Sequence, residues 1–232
     1  MKLKDLYFIL ICLGILSLFF VIEPLNTWFL EWSKAKDVRY FVLAFMKFAV
    51  LATLGESIGL RISKGVYNEK GFGIMPRAIV WGILGIAISI AMGIFAGGTF
   101  GFLKYFGLEI DPKLLSEQVI GVRFLYAFCV SVFMNLIFAP VFMTIHKVTD
   151  THILENKGTV AGLFRPIPFG RIICNLNWNV QWNFVFKKTL PYFWIPAHTI
   201  TFMLPKEFQV LFAALLGVAL GVILSIANMK KK

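Results

Sequence analysis

The residues able to do chemistry are few, and they lie in apolar surroundings. Glu56 and Lys47 are ionisable groups inside one apolar run. Charges there are costly in lipid and ordinarily face a bundle interior or water, so both are pore or gate candidates. Nine residues separate them, about two and a half helical turns. They therefore point to opposite sides and cannot pair within the helix. Lys47 can snorkel along its own stem, and Glu56 is near enough to Arg61 and Lys64 to be an interfacial acid instead. Asn135 lies midway along another apolar run, where an amide either bonds across helices or lines a pore. His198, in a proline-rich segment, is a structural histidine or a gate.

These groups do not converge on a reaction. His146 and His152 flank a membrane edge without metal-ligand spacing, and Asp150 and His152 have no nucleophile near them in sequence. Cys12, Cys129 and Cys174 are far apart and form neither a disulfide framework nor a metal pair. No nucleophile elbow, zinc-protease helix or phosphate-cradling loop is present. The expectation is a protein that is not an enzyme and has no cofactor, no metal and no catalytic residue.

The elements that must position these side chains are membrane helices. The 232-residue chain is 59% hydrophobic and 15% charged, with 25 Phe and a mean hydropathy of +0.79. A soluble domain carries about 45–50% apolar and about 25% charged residues. A span needs about 20 mostly apolar residues, and six segments approach that. They are roughly Leu6–Val21 (extending toward Trp32), Tyr40–Leu60, Ala78–Leu103, Phe124–Ile145 with Pro140 near its end, the short Pro191–Leu204, and Phe208–Ala227. The first follows Lys2 and Lys4 without a small-residue cleavage site, so residues 1–36 read as an uncleaved signal anchor. Residues 147–190 read as a loop. In it Ile173, Leu176, Val180 and Phe184 share one helical face beside Trp178 and Trp182, as in an interfacial amphipathic helix.

Small residues supply the packing surfaces. Gly85, Ser89, Gly93, Gly97 and Gly101 recur every four residues on one helix face, and Ala213, Gly217, Gly221 and Ser225 repeat the device in the last span. Membrane helices associate through such close backbone approach. The grooves are expected to receive neighbouring helices or a second copy of the chain.

Charge sets the orientation. With the N-terminus cytoplasmic and six spans, 15 of the 23 bases fall inside and 7 outside, Lys47 being within a span. This follows the positive-inside rule and places both termini in the cytoplasm. It assigns the net charge of +11 to a membrane face attracted to anionic lipids rather than to nucleic acid.

Several motifs together resemble a known family. Leu54-Gly55-Glu56, Gly93-x-x-x-Gly97-Gly98 followed by Leu103, and Asn135-Leu-Ile-Phe-Ala-Pro140 match its elements in order. The most specific are Trp194-x-Pro196-x-His198, then Phe202-Met-Leu-Pro205, Gln209-Val210 and Leu224-Ser225. The pattern is similar to that of the small peroxisomal and mitochondrial inner-membrane proteins typified by the 22 kDa peroxisomal membrane protein. It covers roughly residues 40–228, as in a distant relative. Ile94 replaces the family's proline, Thr99-Phe100 its Trp-Tyr pair and Gln209 its arginine. The resemblance implies a weakly selective channel or solute-permeability protein. It would lie in the cytoplasmic membrane of a prokaryote, or in the peroxisomal or mitochondrial inner membrane of a eukaryote. The rival expectation is a scaffold that packs with partners and transports nothing. A wet path past Glu56 favours the first, and a dry bundle the second.

Overall fold

The computed structural model describes Gly14, Ser17, Leu18 and residues 21–229, all of whose regular elements are helical. The chain divides into two units, residues 1–43 and 44–232. The expected anchor Leu6–Val21 lies mostly outside the described residues, as do Lys230–Lys232. A continuous helix through to Trp32 does not form. Ile22 is extended, and α1 (Glu23–Lys34) starts afresh after it. Pro24, which has no N–H to give to a carbonyl one turn back, occupies its first turn, where that loss is harmless. Asp37 then accepts hydrogen bonds from the backbone N–H and guanidinium of Arg39, and these bonds hold its carboxyl below the usual range.

The long helices are α2 (Val38–Lys64), α3 (Ile74–Lys104), α4 (Ile120–Phe133) continuing into α5 (Ala139–Glu155), and the last helix, Lys206–Met229. Among the described residues, four stretches are long and apolar enough to cross a membrane: Val38–Lys64, Ile74–Lys104, Ile120–Glu155 and Lys206–Ile223. They carry the second, third, fourth and sixth expected spans. The segment Pro191–Leu204 is not among them.

That segment nevertheless sits in a long helix. After short α6 (Val160–Leu163) and α7 (Phe169–Cys174), the chain is helical from α8 (Trp178–Val180) through a π-helical stretch, Gln181–Trp194, into α9 (Ile195–Met203). Pro191 falls inside the π stretch and Pro196 in the first turn of α9. A π turn reaches one residue further back, which accommodates a ring that would clash with an α-helical carbonyl. Pro140 is handled likewise, by the π turn Met134–Phe138 ahead of it.

The region 147–190 therefore differs from the expected loop. Its first nine residues complete α5. The anticipated amphipathic helix is broken at residues 175–177, where Asn177 caps a new start by accepting from the Val180 N–H. Ile173 is thus separated from Val180 and Phe184, which are both exposed.

Packing follows the small residues only in part. Gly82 and Gly85 of α3 receive the rings of Phe45 and Phe48, and a Cβ at Gly85 would stand 2.5 Å from that of Phe48. Ser89 is buried beside them, its hydroxyl turned back to Ile86 O. Gly93, Gly97, Gly98 and Gly101 face open space, as does Gly217. Within the single chain the bulky rings of α2 therefore cover only the first part of the α3 groove. A second close approach joins α2 to α10 (Lys206–Met229). A Cβ at Gly55 would meet Val218 Cα at 2.8 Å, and one at Gly221 would meet Gly55 O at 3.0 Å. The Ser225 side chain lies outside the described residues.

Two turns interlock at one end of the bundle. Gly71, Gly73 and Gly158 all have positive φ, and a Cβ at Gly158 would lie 2.6 Å from both Gly71 O and Gly73 N. Only glycine fits such a crossing. The buried His152 donates from Nε2 to Gly162 O at 3.0 Å, leaving Nδ1 to accept from Asn156 Nδ2 at 3.3 Å. This pins the turn after α5.

Candidate functional site: a buried ionic latch

Glu56 is the centre of the densest polar cluster among the described residues. Its Oε2 accepts from Arg77 NH1, and its Oε1 from Trp81 Nε1 at 2.9 Å, with His146 Nε2 3.2 Å from the same oxygen. The other guanidinium nitrogen, Arg77 NH2, lies 2.5 Å from Asp150 Oδ1. Arg77 Nε donates to Phe72 O at 2.7 Å, so all three guanidinium nitrogens face an oxygen. Lys147 Nζ adds a bond of 3.1 Å to Asp150 Oδ2.

Three helices meet here, each for a local reason. Glu56 comes from α2 where the Gly55 approach brings that helix deep into the bundle. Arg77 and Trp81 are four apart on α3, and His146 and Asp150 are four apart on α5, so each pair shares one face. The Trp81 and His146 rings lie 4.3 Å apart, closing the cluster on its apolar side with Phe142. The Arg77 side chain is 8% exposed, Asp150 14% and Glu56 21%. Residues from all three helices line a cavity of about 10 Å³. That is the least volume that holds one water.

A second polar group lies between other helices. Asn135, in the π turn, donates from Nδ2 to Ser131 O at 2.8 Å and faces His198 Nδ1 of α9 at 3.0–3.3 Å. The His198 tautomer decides whether the ring accepts from the amide or donates to its oxygen. Trp194 stacks on that ring with centroids 5.0 Å apart, and Ser131 Oγ donates to Ile195 O at 2.7 Å. Asn135 thus bonds across helices, and His198 is the partner that satisfies it.

The structure separates the sequence candidates. Glu56 lies in the latch, whereas Asn135 and His198 form the second pair. Lys47 is buried at 7% exposure but is not among the groups around Glu56. Gln209 donates to Leu204 O at the end of α9, near Pro205. Of the groups gathered around Glu56, Arg77 and Trp81 were not singled out from sequence, whereas His146 and Asp150 were noted there only as lacking metal-ligand spacing or a nucleophile. The signal available was two pairs of polar or amphipathic residues, each four apart, at the edges of two apolar runs. Comparison with family models, with curated proteins and with solved structures returns no match to this chain.

Proposed function

We propose that this chain is an integral membrane protein mediating passive, weakly selective permeation of small solutes or ions, held closed here by the Arg77 latch. The observation that carries the reading is the carboxylate of Glu56 within an apolar helix, held by Arg77, Trp81 and His146 from two others. An ionisable group inside a membrane span is costly and marks a functional site by default, and a buried ion pair adds little net stability. The likeness of the Leu54-Gly55-Glu56 and Trp194–Ser225 motifs to the 22 kDa peroxisomal membrane protein family points the same way. Purified protein in a planar bilayer tests it. Wild type is expected to conduct rarely, and Glu56→Gln to open more often because one arm of the latch is weakened. No conductance from either, across voltage and pH, would sink the channel reading.

The scaffold reading rests on a different observation. The cavity beside Glu56 is about 10 Å³, and the Gly55 and Gly85 crossings leave little room between their helices. Under that reading Glu56→Gln leaves the membrane impermeable, and the protein serves by packing with partners, a second copy included.

The proposed topology keeps six crossings, adding the N-terminal anchor and the Pro191–Leu204 segment to the four apolar helices, with both termini cytoplasmic. Its support is the excess of bases in the connections assigned to that side. A reporter enzyme fused after Lys232 is expected to be active only in its cytoplasmic form. Activity on the opposite face would overturn this topology.

A further inference from the structure

Between Glu155 and Glu207 the chain carries no acid, yet it carries six bases: Lys157, Arg165, Arg171, Lys187, Lys188 and Lys206. Arg171 is already answered by Glu155, at 3.0 and 2.6 Å. Among the described residues, no carboxylate pairs with Lys187 or Lys188, and both are exposed on the π-helical stretch. The same surface holds two large exposed indoles, Trp178 at 42% and Trp182 at 56%. Lys187 Nζ stands 5.8 Å from the Trp182 ring centroid. Met143 of α5 and Phe186 both pack on the Ala139, Leu190 and Trp194 cluster. This sets Lys187 and Lys188 near the level of Met143, about one turn from His146 and so close to the expected end of the span.

We propose that Lys187 and Lys188, flanked by Trp178 and Trp182, bind the headgroup of an anionic phospholipid at the membrane surface. The chemistry matches on both counts. Indoles settle at the headgroup level, and a lysine with no carboxylate partner offers its charge to a lipid phosphate while its stem stays in the apolar layer. The acid-free stretch supplies no competing carboxylate of its own. This surface is separate from the Glu56 latch and does not depend on permeation.

Intrinsic tryptophan quenching by brominated lipids tests the proposal on the full chain in detergent. Brominated phosphatidylglycerol is expected to quench at lower concentration than brominated phosphatidylcholine. Lys187→Gln with Lys188→Gln should weaken that preference about 25-fold, at about fivefold per lysine. Lys187→Arg with Lys188→Arg should retain it, and Lys104→Gln with Lys113→Gln should leave it unchanged. Both altered lysines are exposed, so the variants are expected to fold, which circular dichroism checks. Equal quenching by the two lipids in wild type, or an undiminished preference in the double glutamine variant, would overturn the site. Displacement of phosphatidylglycerol by inorganic phosphate would also overturn it, because the site would then be one for free anions.

Discussion

Replacing Arg77 with methionine is expected to lower the unfolding free energy by about 3–5 kcal/mol, the cost of leaving a buried charge without its partner. Two carboxylates lose their ion pair at once, because Arg77 bridges Glu56 and Asp150. Their shallow exposure means that water replaces little of what is lost. His146 and Trp81 still face Glu56, and Lys147 still reaches Asp150, so the loss falls short of two isolated charges. Lysine at this position keeps the charge but not the fork, and cannot serve both carboxylates and Phe72 O together. An intermediate loss is expected for it. Adding Glu56→Gln and Asp150→Asn to Arg77→Met should restore most of the stability, because no buried charge is then left unmatched. Denaturant titration in mixed micelles measures all of these. A loss below about 1 kcal/mol for Arg77→Met, the value of an exposed pair, would show that the latch holds nothing.

The glycines give the second large effect, through contrasting outcomes within one residue type. At Gly55, leucine places its Cβ 2.8 Å from Val218 Cα and 3.2 Å from Val218 N, both backbone atoms that no rotamer change can move. Overpacking of this kind costs about 1–3 kcal/mol and occasionally more. Gly55→Leu is expected at or above the top of that range, because a whole helix must retreat. At Gly97 nothing lies within 4 Å of the added Cβ. Gly97→Leu should change monomer stability by no more than about 0.5 kcal/mol. The same titrations compare the two, alongside a size measurement in detergent. Equal losses at both positions would contradict the packing described here. A Gly97→Leu protein that is stable yet smaller than wild type would make the open face of α3 an association surface.

How far the chain could be read from its sequence depended on where hydropathy cut it. The four long apolar helices were legible because twenty apolar residues in a row have few other uses. Glu56, Asn135 and His198 were legible as polar groups out of place. That Arg77, Trp81 and His146 gather around Glu56 was not, and the reason is specific. Arg77 stands one residue before the expected span Ala78–Leu103, and His146 one residue after Phe124–Ile145. A hydropathy boundary falls where charge begins, so it excluded the charges that complete the site. The helices run on, α3 beginning at Ile74 and α5 ending at Glu155. The expected segment Pro191–Leu204 was likewise started at a proline, although the helix runs through it. A proline reads as a break, and sequence does not show that π geometry will absorb it. The partial filling of the glycine stripe was equally hidden. Periodicity locates a groove, but only the neighbours decide how much of it is filled.

The interlocked turns at Gly71, Gly73 and Gly158 bear on how this bundle could ever open. They fasten the start of α3 to the end of α5, where Arg77 meets Asp150. One fastening is ionic and depends on the charges of both groups, whereas the other is steric and does not. The two helices must then travel as one body at that end, whatever happens to their charges. Displacement at the latch is left to α2, which carries Glu56. A spin label on α2 is the one that would report it.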